Sequence, residues 1–564
     1  MNNRNSQKVT FFAVIAVVIV VALVIVGIAT GGKESNSKDS DNKDVVSVDD
    51  VTLDNLYNNL PVNLTKDVSL KKGSINLSDS SLYDELPEID KYPTVVDGTG
   101  QVDIEVFTSG EKAGKDNDSW LIECAENFNK SGVQTSSGKT VSMTIRSVSS
   151  GLAADYIISG KYLPDLYTPS NTLFGDYAIA KGGKLELYTE RLVGNTAGIL
   201  IKKSDTYTNI DGVVDAVMSG KYNIGYTNPQ TSATGLNLLI EILNDYGGIT
   251  SDDSAKAFAK FNNNIPFVAY TTQQMASSAS SGTLDGMVTE YQAYINDNNL
   301  KSAYTFIPFG MRHDNPLYIV NKSSKSADEL DAIKLISDYL TGSDCQSIAT
   351  KDGFNANDDY TSSFNISGTE VSQALEVYKN NKDSGKDIIA VFVADCSGSM
   401  SGDAINQLKE SLSNGMQYIN SNNYVGLISY GQGVTIDLPI AQFDLNQKAY
   451  FKGAVDSLDA NGATPTYEAL TVAMKMISDE QANNPDAKCM IFLLSDGAAN
   501  GDYSLDTISS VLKKSQIPVY TIAYTSQADK KQMEEISAVN EAATINADSD
   551  DVIYKIKSLF NSQL

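Results

Sequence analysis

The chain has 564 residues, a formal net charge of −27 and one histidine, His313. This length exceeds what one hydrophobic core usually organises, and the acidic balance argues against nucleic-acid binding, which needs clustered Lys and Arg. The single histidine excludes most Ser-His and Cys-His hydrolases and most zinc sites, so a metal site in this chain must use oxygen ligands.

Residues 9–30 predict a membrane-spanning helix. The stretch is uncharged, and its length corresponds to roughly 33 Å of helix, enough to cross a bilayer core. Arg4 and Lys8 precede it, which predicts a cytoplasmic tail at residues 1–8 and an extracytoplasmic location for the rest of the chain, on a single-pass anchor. A cleaved signal peptide is the alternative, although its apolar region would normally be shorter.

Two segments of low apolar content follow the predicted helix. Residues 31–50 consist mostly of Ser, Asn, Asp and Lys and predict a disordered tether. Residues 51–100 contain short apolar pieces such as "LDNLYNNL". We expect this second segment to be partly ordered and to pack on the domain that follows it.

Strand and helix patterns alternate from residue 101 onward. "QVDIEVFTS", "TVSMTIRSV" and "PDLYTPS" read as strands, while "DSWLIECAENFNKSG" and "GLAADYIISG" have apolar residues at helical spacing. This βαβ rhythm predicts an α/β fold with parallel sheets and helices on both faces.

Four stretches in this region resemble the extracellular solute-binding proteins of the type II periplasmic-binding fold. They are "SVSSGLAADYI", "PDLYTPSNTLF", "TNPQTSATGLNLL" and "LDAIKLISDYLTGSDCQSIATKDGF". The resemblance covers residues 101–379 and implies two lobes joined by a hinge. Lobe 1 would comprise residues 101–195 and 316–379, and lobe 2 residues 196–315.

The carboxyl ends of the parallel strands predict a ligand site between the lobes. Helices that start there offer free N–H groups and the positive end of their dipole, which suits a small polar or anionic solute. Ordinary helix capping is the alternative role for such hydroxyl groups. The candidate wall consists of Ser149, Ser150, Ser170, Thr231, Ser232, Thr234 and Glu290.

The four cysteines are scattered, without any C-x-x-C spacing. We expect them to be small buried side chains. A bridge between Cys124 and Cys345 is the alternative for an exported domain.

Residues 386–564 predict a doubly wound, Rossmann-like α/β domain. "DIIAVFVAD" and "KCMIFLLSDG" are apolar runs typical of central parallel strands. Asp395 and Asp496 lie where these two strands end, so both point into the same crevice. Alternation along the following residues puts Asp395, Ser397 and Ser399 on one side and Cys396 on the other, where it reads as a core side chain.

Three motifs of this domain, "DCSGSM", "NGATPTYEAL" and "LLSDG", resemble the signature of von Willebrand factor A (VWA) domains with a metal-ion-dependent adhesion site. That resemblance implies that Asp395, Ser397, Ser399, Thr464 and Asp496 hold one Mg²⁺, or Mn²⁺ or Ca²⁺. It also implies that the ion keeps a position for a carboxylate of a protein partner. Oxygen donors, three of them neutral hydroxyls, suit such a hard cation.

Together these observations predict a membrane-anchored, extracytoplasmic binding protein of a bacterium, without a catalytic role and without nucleic acid as a partner. The VWA domain would bind an acidic protein partner, and the solute-binding-like module a small ligand. The alternative among binding proteins is an adhesin, an assembly scaffold or a transporter accessory subunit whose lobes no longer bind a solute. A metal-dependent enzyme is the rival of another class, but no general base, second metal or nucleophile accompanies the five ligands.

Overall fold

The computed structural model describes residues 52–75, 81–265, 267–269, 284–382, 386–524, 529–540, 542, 544–547 and 559. The predicted tail, membrane helix and tether, at residues 1–50, lie outside this part of the chain. Within the described ranges, no helix combines the length and apolar character that crossing a bilayer requires.

Strands and helices alternate along most of the chain, as the sequence rhythm predicts. The strands, in chain order, are β1 (Leu64–Thr65), β2 (Thr94–Val96), β3 (Val102–Thr108), β4 (Val141–Ser147), β5 (Leu166–Thr168), β6 (Leu185–Thr189), β7 (Asn195–Lys202), β8 (Ile224–Thr227), β9 (Phe267–Ala269), β10 (Gly286–Glu290), β11 (Tyr304–His313), β12 (Leu317–Val320), β13 (Ile388–Asp395), β14 (Tyr424–Tyr430), β15 (Val434–Gln442), β16 (Lys488–Ser495), β17 (Val519–Tyr524) and β18 (Thr544–Ala547). The helices, in chain order, are α1 (Leu53–Asn58), α2 (Leu82–Glu85), α3 (Trp120–Ser131), α4 (Ser150–Ser159), α5 (Thr172–Ala180), α6 (Ile210–Met218), α7 (Ala233–Asp245), α8 (Asp252–Asn262), α9 (Tyr291–Asn296), α10 (Asn298–Ala303), α11 (Ala327–Leu340), α12 (Ser343–Lys351), α13 (Gly368–Asn381), α14 (Asp403–Gly415), α15 (Leu445–Ser457), α16 (Thr466–Gln481), α17 (Leu505–Ser515) and α18 (Lys530–Ala538).

Each lobe of the first module contains a mixed sheet, which corrects the expectation of parallel sheets. In lobe 1 the strand order is β2-β4-β3-β5-β12-β6, and β12 runs antiparallel to β5 and β6. In lobe 2 the order is β11-β7-β10-β8-β9, and β7 runs antiparallel to both β10 and β11. β7 and β12 are the strands by which the chain enters lobe 2 and returns to lobe 1. Such strands do not close a βαβ unit, so nothing forces them to be parallel to their neighbours.

Helix α13 joins the two lobes through apolar contacts. Its buried side chains, Val371, Ala374 and Tyr378, belong to a hydrophobic cluster that contains Leu173 of lobe 1 and Phe258 of lobe 2. Sequence reasoning assigned this helix to lobe 1 alone. The cluster is continuous across both lobes, so separating them would expose apolar surface to water.

The C-terminal unit is built on a seven-stranded sheet with the order β1-β15-β14-β13-β16-β17-β18. β13 is central and pairs in parallel with β14 and β16, while β15 runs antiparallel to β14. The rings of Phe392, Phe492 and Tyr520 stack across three adjacent strands, with centroids 5.1 and 5.5 Å apart. These apolar strands hold the sheet together, and their carboxyl ends share one edge.

The first strand of this sheet comes from residues 52–75, which we call the N-terminal arm. β1 pairs in parallel with β15 through Leu64 and Thr65, and the amide of Val434 donates to the carbonyl of Asn63 at 2.9 Å. We expected residues 51–100 to pack on the module that follows. The N-terminal arm instead lies against the C-terminal unit, more than 300 residues away in sequence.

Further contacts fix both ends of the N-terminal arm. The Tyr503 hydroxyl donates to the carbonyls of Leu56 and Asn59 at 2.9 and 3.1 Å, and the amide of Gly73 donates to the carbonyl of Ala449 at 2.8 Å. A Cβ at Gly453, in the middle of α15, would lie 1.9 Å from the Lys71 carbonyl oxygen. The arm is therefore packed as part of the C-terminal unit.

Residues 81–96 pack on lobe 1, as expected for this part of the segment. Leu86 is buried, and the Tyr156 hydroxyl donates to the carbonyl of Pro87 at 2.8 Å. β2 pairs antiparallel with β4. The solute-binding-like module thus lies, in chain order, between the N-terminal arm and the rest of the C-terminal unit.

Candidate functional sites

The five residues that sequence reasoning assigned to a cation form what we call the metal cradle: Asp395, Ser397, Ser399, Thr464 and Asp496. Asp395 ends β13, and Asp496 follows β16. Because these two parallel strands are neighbours in register, Ala394 beside Leu494, both aspartates lie at the same edge of the sheet. Ser397 and Ser399 follow β13, and Thr464 precedes α16.

A chain of hydrogen bonds links four members of the metal cradle. The amide of Ser397 donates to Asp395 Oδ1 at 2.8 Å, and the hydroxyls of Ser397 and Ser399 are 3.0 Å apart. The Ser399 hydroxyl donates to Asp496 Oδ1 at 2.8 Å. The structure therefore brings these four side chains together as predicted.

Neighbouring backbone positions the fifth member, Thr464. Its amide donates to Asn500 Oδ1 at 2.6 Å, and the amide of Asn500 donates back to the Thr464 carbonyl at 3.0 Å. The amide of Gly398 donates to the carbonyl of Gly462 at 3.1 Å, which ties the serine loop to the threonine loop. Sequence reasoning missed Asn500, which stands three residues after the "LLSDG" motif.

Burial sets the electrostatics of the cradle. Asp395 is fully buried and Asp496 is 8% exposed, whereas Ser399 is exposed. The pKa of Asp395 is raised, mainly by burial and further by the charge of Asp496. Hydrogen bonds from Ser397 and Ser495 lower it but do not outweigh the burial. The Ser495 hydroxyl, also missed from the sequence, donates to Asp395 Oδ2 at 2.5 Å.

The donor set fits a hard divalent cation. It contains two carboxylates and three hydroxyls, all oxygen donors, and the hydrogen bonds above already hold four of them within contact of one another. Across the described part of the chain, no group of three or more His, Cys, Asp or Glu side chains is arranged to hold a metal. The Cys396 side chain belongs to the buried apolar cluster with Met400, which confirms its predicted place in the core.

The predicted wall residues of the solute site lie between the lobes, but the lobes touch there. The amide of Gly151, at the start of α4, donates to the carbonyl of Thr231 in lobe 2 at 3.2 Å. A Cβ at Gly151 would lie 2.1 Å from the carbonyl oxygen of Gln230. The amide of Gly151, next to the predicted wall residue Ser150, therefore bonds to the protein itself.

Other predicted wall residues are also engaged with protein groups. Ser232 caps α7 by accepting from the amide of Gly235, so the capping alternative holds for it. The Thr234 hydroxyl donates to Glu290 Oε1 at 2.9 Å. Glu290 also accepts from Asn195 Nδ2 at 3.0 Å and lies 3.1 Å from His313 Nδ1.

Sequence reasoning missed the charged pair at the lobe 1 side of the cleft. Glu111 and Lys112 follow β3 in "FTSGEKAG", and the Ser170 hydroxyl donates to Glu111 Oε1 at 2.8 Å. The signal that could have found them is the one that found Asp395, an acid just after a buried strand. Ser150, another predicted wall residue, accepts weakly from the Ser170 amide at 3.4 Å.

The cysteines are free thiols in this structure. Cys124 and Cys345 are both buried in the core of lobe 1. The hydrogen bond to Cys345, together with burial, raises the pKa of the Cys124 thiol far above its ordinary value. The predicted alternative of a bridge between them is not formed here.

Comparison with known families assigns one to each module. Residues 113–355 match bacterial extracellular solute-binding proteins, and residues 390–561 match the von Willebrand factor type A domain. Two von Willebrand factor A domain-containing proteins of Dictyostelium discoideum are 26% and 27% identical over 197 and 177 residues, or 34% and 30% of this chain. Those alignments span 19% and 18% of the relatives' own length.

Solved structures resemble both modules. A periplasmic thiamin binding protein is 13% identical, with a TM-score of 0.39, over 51% of this chain and 99% of its own. A von Willebrand factor type A protein from Catenulispora acidiphila is 19% identical, with a TM-score of 0.29, over 32% of this chain and 43% of its own.

Proposed function

We propose that this chain, which joins an extracellular solute-binding-like domain to a VWA domain, is a binding protein that docks a partner protein through a divalent cation. The metal cradle is the observation that supports this function most directly. Hydrogen bonds link four of its side chains, backbone bonds hold the loop of Thr464 beside them, and every donor atom is an oxygen. These residues would hold Mg²⁺, or Mn²⁺ or Ca²⁺.

The partner would present an Asp or Glu side chain. Ser399 is exposed, so the cradle opens to the surface on its side. Because only two of the five donors are carboxylates, a carboxylate from a partner is a suitable further ligand for the ion. When bound, the cation would also supply local positive charge on a strongly acidic protein, which favours an acidic partner.

We further propose that the helix at residues 9–30 anchors the protein in a membrane, with both modules outside the cytoplasm. The uncharged length of this stretch and the basic residues before it support the proposal. The extracellular type of the matched solute-binding family agrees with this location. No catalytic role is included, because the cradle offers ligands without a nucleophile or general base beside them.

The solute-binding-like module would serve as a rigid scaffold for the VWA domain, in an adhesin or an assembly factor. The direct bond between Gly151 and Thr231 and the apolar cluster around α13 support this role over hinge closure on a solute. Capture of a small polar or anionic solute remains the second candidate. The predicted wall residues Ser150 and Ser170 favour it, since the structure brings them together, with the Ser170 amide 3.4 Å from Ser150 Oγ.

Cation-dependent capture tests the docking function. Immobilised protein is exposed to cell-envelope fractions in Mg²⁺, and bound proteins are eluted with EDTA. We expect a specific partner to elute with EDTA and to be lost with Asp496→Ala, but retained with Asp486→Ala, an exposed acid before β16 at the opposite end of the sheet. Equal retention of the partner in EDTA would contradict the proposal.

A further inference from the structure

The carboxylate of Glu111 lies where the sequence predicts an anionic solute, at the carboxyl end of β3. It accepts hydrogen bonds from the Ser109 hydroxyl at 2.5 Å, the Ser170 hydroxyl at 2.8 Å and Lys112 Nζ at 2.9 Å. The Glu111 side chain is only 14% exposed. Two hydroxyls and an ammonium around one buried carboxylate form the type of donor set that binds oxyanions.

Lys112 makes an anion necessary at this place. Its side chain is fully buried, and its ammonium donates to Ser109 Oγ at 2.6 Å and Asn315 Oδ1 at 2.7 Å in addition to Glu111. An ammonium buried without a negative partner would be strongly destabilising. Burial raises the pKa of Glu111, but the Lys112 charge and the hydrogen bonds outweigh this and lower it to about 2, so the carboxylate is ionised at neutral pH.

The network reaches the point where the chain changes lobes. Asn315 has a left-handed backbone, with φ of 48°, and its amide donates to the Ser170 carbonyl at 3.0 Å. Its side-chain nitrogen donates to the carbonyls of Val193 and His313. The charged pair is thus bonded to the segments that connect the lobes, as a bound solute would be in a closed cleft.

We propose that the interlobe cleft is an oxyanion site whose occupant is the chain's own Glu111 carboxylate. The donors that would bind a free carboxylate or sulfate are already satisfied by this carboxylate, and the lobes are in direct contact through the hydrogen bond from Gly151 to Thr231. A free oxyanion enters only when the Glu111 carboxylate is removed. This inference does not depend on the metal cradle, since it concerns the other module.

A second ion pair in the same lobe gives a matched comparison. Arg146 Nε donates to Glu105 Oε1 at 2.7 Å, and the two side chains are 12% and 15% exposed. This pair is as buried as Glu111, but its arginine bonds to Tyr92 of the segment before lobe 1 rather than to the residues that connect the lobes. Removing Glu105 therefore serves as the control, because it measures the effect of losing a similarly buried carboxylate outside the cleft.

The test is rescue of Glu111→Ala by small oxyanions. Melting temperatures of the purified wild type, Glu111→Ala and Glu105→Ala are measured in formate, acetate, sulfate and, for ionic strength, chloride. We expect Glu111→Ala to melt below the wild type and to regain stability saturably with formate or sulfate, by mass action on the folded state. Calorimetric titration should show binding to this variant and at least tenfold weaker binding to the wild type.

Several outcomes would overturn the proposal. They are saturable binding of these anions by the wild type as tight as by the variant, rescue of Glu105→Ala by the same concentrations, and a folded Glu111→Ala that no oxyanion stabilises. If Glu111→Ala does not fold, Glu111→Gln replaces it. That isosteric variant keeps the cleft filled but removes the charge, so it should be less stable than the wild type and show no rescue, and rescue of it would contradict the proposal.

Discussion

The metal cradle and the interlobe cleft occupy equivalent places in two different modules. Each begins where a buried parallel strand ends, and each brings serine hydroxyls to an acidic side chain. In the cradle, the serines bridge two carboxylates, Asp395 and Asp496, and one of the serines is exposed. In the cleft, the acid Glu111 has a fully buried lysine beside it. The net charge of the side chains at a strand end thus decides whether the site needs a ligand from outside or already contains the opposite charge within the protein.

The largest effect that this comparison predicts is loss of cation binding with Asp395→Ala. The variant removes one of the two carboxylates of the cradle, so we expect affinity for Mg²⁺ or Mn²⁺ to fall at least 100-fold, corresponding to ~3 kcal/mol. The fold should persist because the apolar strands β13 and β16 do not depend on the ion. Calorimetric titration with circular dichroism measures both properties.

Asp486→Ala is the matched control for Asp395→Ala, since it removes an exposed acid far from the cradle. Its cation affinity should equal that of the wild type. Unchanged cation affinity in a natively folded Asp395→Ala would mean that the cradle is assigned to the wrong residues. The proposed difference between the cradle, which takes a ligand from outside, and the cleft, which does not, would then be wrong.

The second prediction tests closure of the cleft with Gly151→Ala. The added Cβ would lie 2.1 Å from the backbone carbonyl oxygen of Gln230, so the lobes must separate. We expect a loss of about 2–3 kcal/mol in unfolding free energy, similar to other overpacked positions. Urea unfolding measures the loss, and small-angle scattering measures the separation.

Gly212→Ala serves as the control because its added Cβ would lie 3.3 Å from Asn209 Oδ1 and 3.4 Å from Tyr207 Cδ1, so a small shift of these side chains accommodates it. It lies in the first turn of α6, where Ala should be neutral or slightly stabilising. If Gly151→Ala is as stable as Gly212→Ala and equally compact, the lobes are not held together by the contact between Gly151 and residues 230–231.

The third prediction tests the packing of the N-terminal arm on the C-terminal unit, which contains the metal cradle. Gly453→Ala should favour helix α15 by about 1 kcal/mol on propensity alone. The added Cβ would lie 1.9 Å from the Lys71 carbonyl oxygen, so we expect the arm to be displaced and the net change to be destabilising by about 1–2 kcal/mol. Limited proteolysis should then cleave residues 52–75 faster, with Gly212→Ala unchanged; protection equal to the wild type would contradict the packing.

The smallest effect concerns Asp118, which accepts from Gln292 across the cleft at 2.9 Å. Burial, the largest cause, together with the charges of Glu111 and Glu290, raises its pKa to about 6, although the Gln292 hydrogen bond lowers it. The pKa of Asp118 is higher in the folded than in the unfolded protein. Its contribution to stability is therefore fully present below the unfolded pKa, near 3.8, and is lost as the pH rises through about 6. Because the side chain is partly exposed, we expect about 1 kcal/mol.

Asp118→Asn should flatten the dependence of stability on pH between about 4 and 6, and Asp116→Asn, which removes only the smallest of the causes that raise the Asp118 pKa, should flatten it far less. Chemical unfolding of the three proteins at several pH values measures this difference. A wild type and Asp118→Asn with parallel pH profiles would show that the cleft does not perturb this carboxyl.

The sequence alone determined the parts of this protein that depend on local pattern. Apolar runs predicted the central strands β13 and β16, and the residues after them predicted the metal cradle. The order of the two modules was also predicted, and the family matches over residues 113–355 and 390–561 confirm it. Local signals suffice there because a strand end and the loop after it are continuous in sequence.

Only the tertiary structure decided the contacts between distant segments. β1 has two residues, too few for an alternating pattern, and it pairs with a strand more than 300 residues later. The amphipathic pattern of α13 does not reveal that it packs on both lobes. The position of Glu111 after a buried strand does not reveal that Asn315 and Ser170 enclose it together with Lys112. Burial and pairing of this kind are properties of the packed chain, because a side chain's surroundings are supplied by residues that no local window contains.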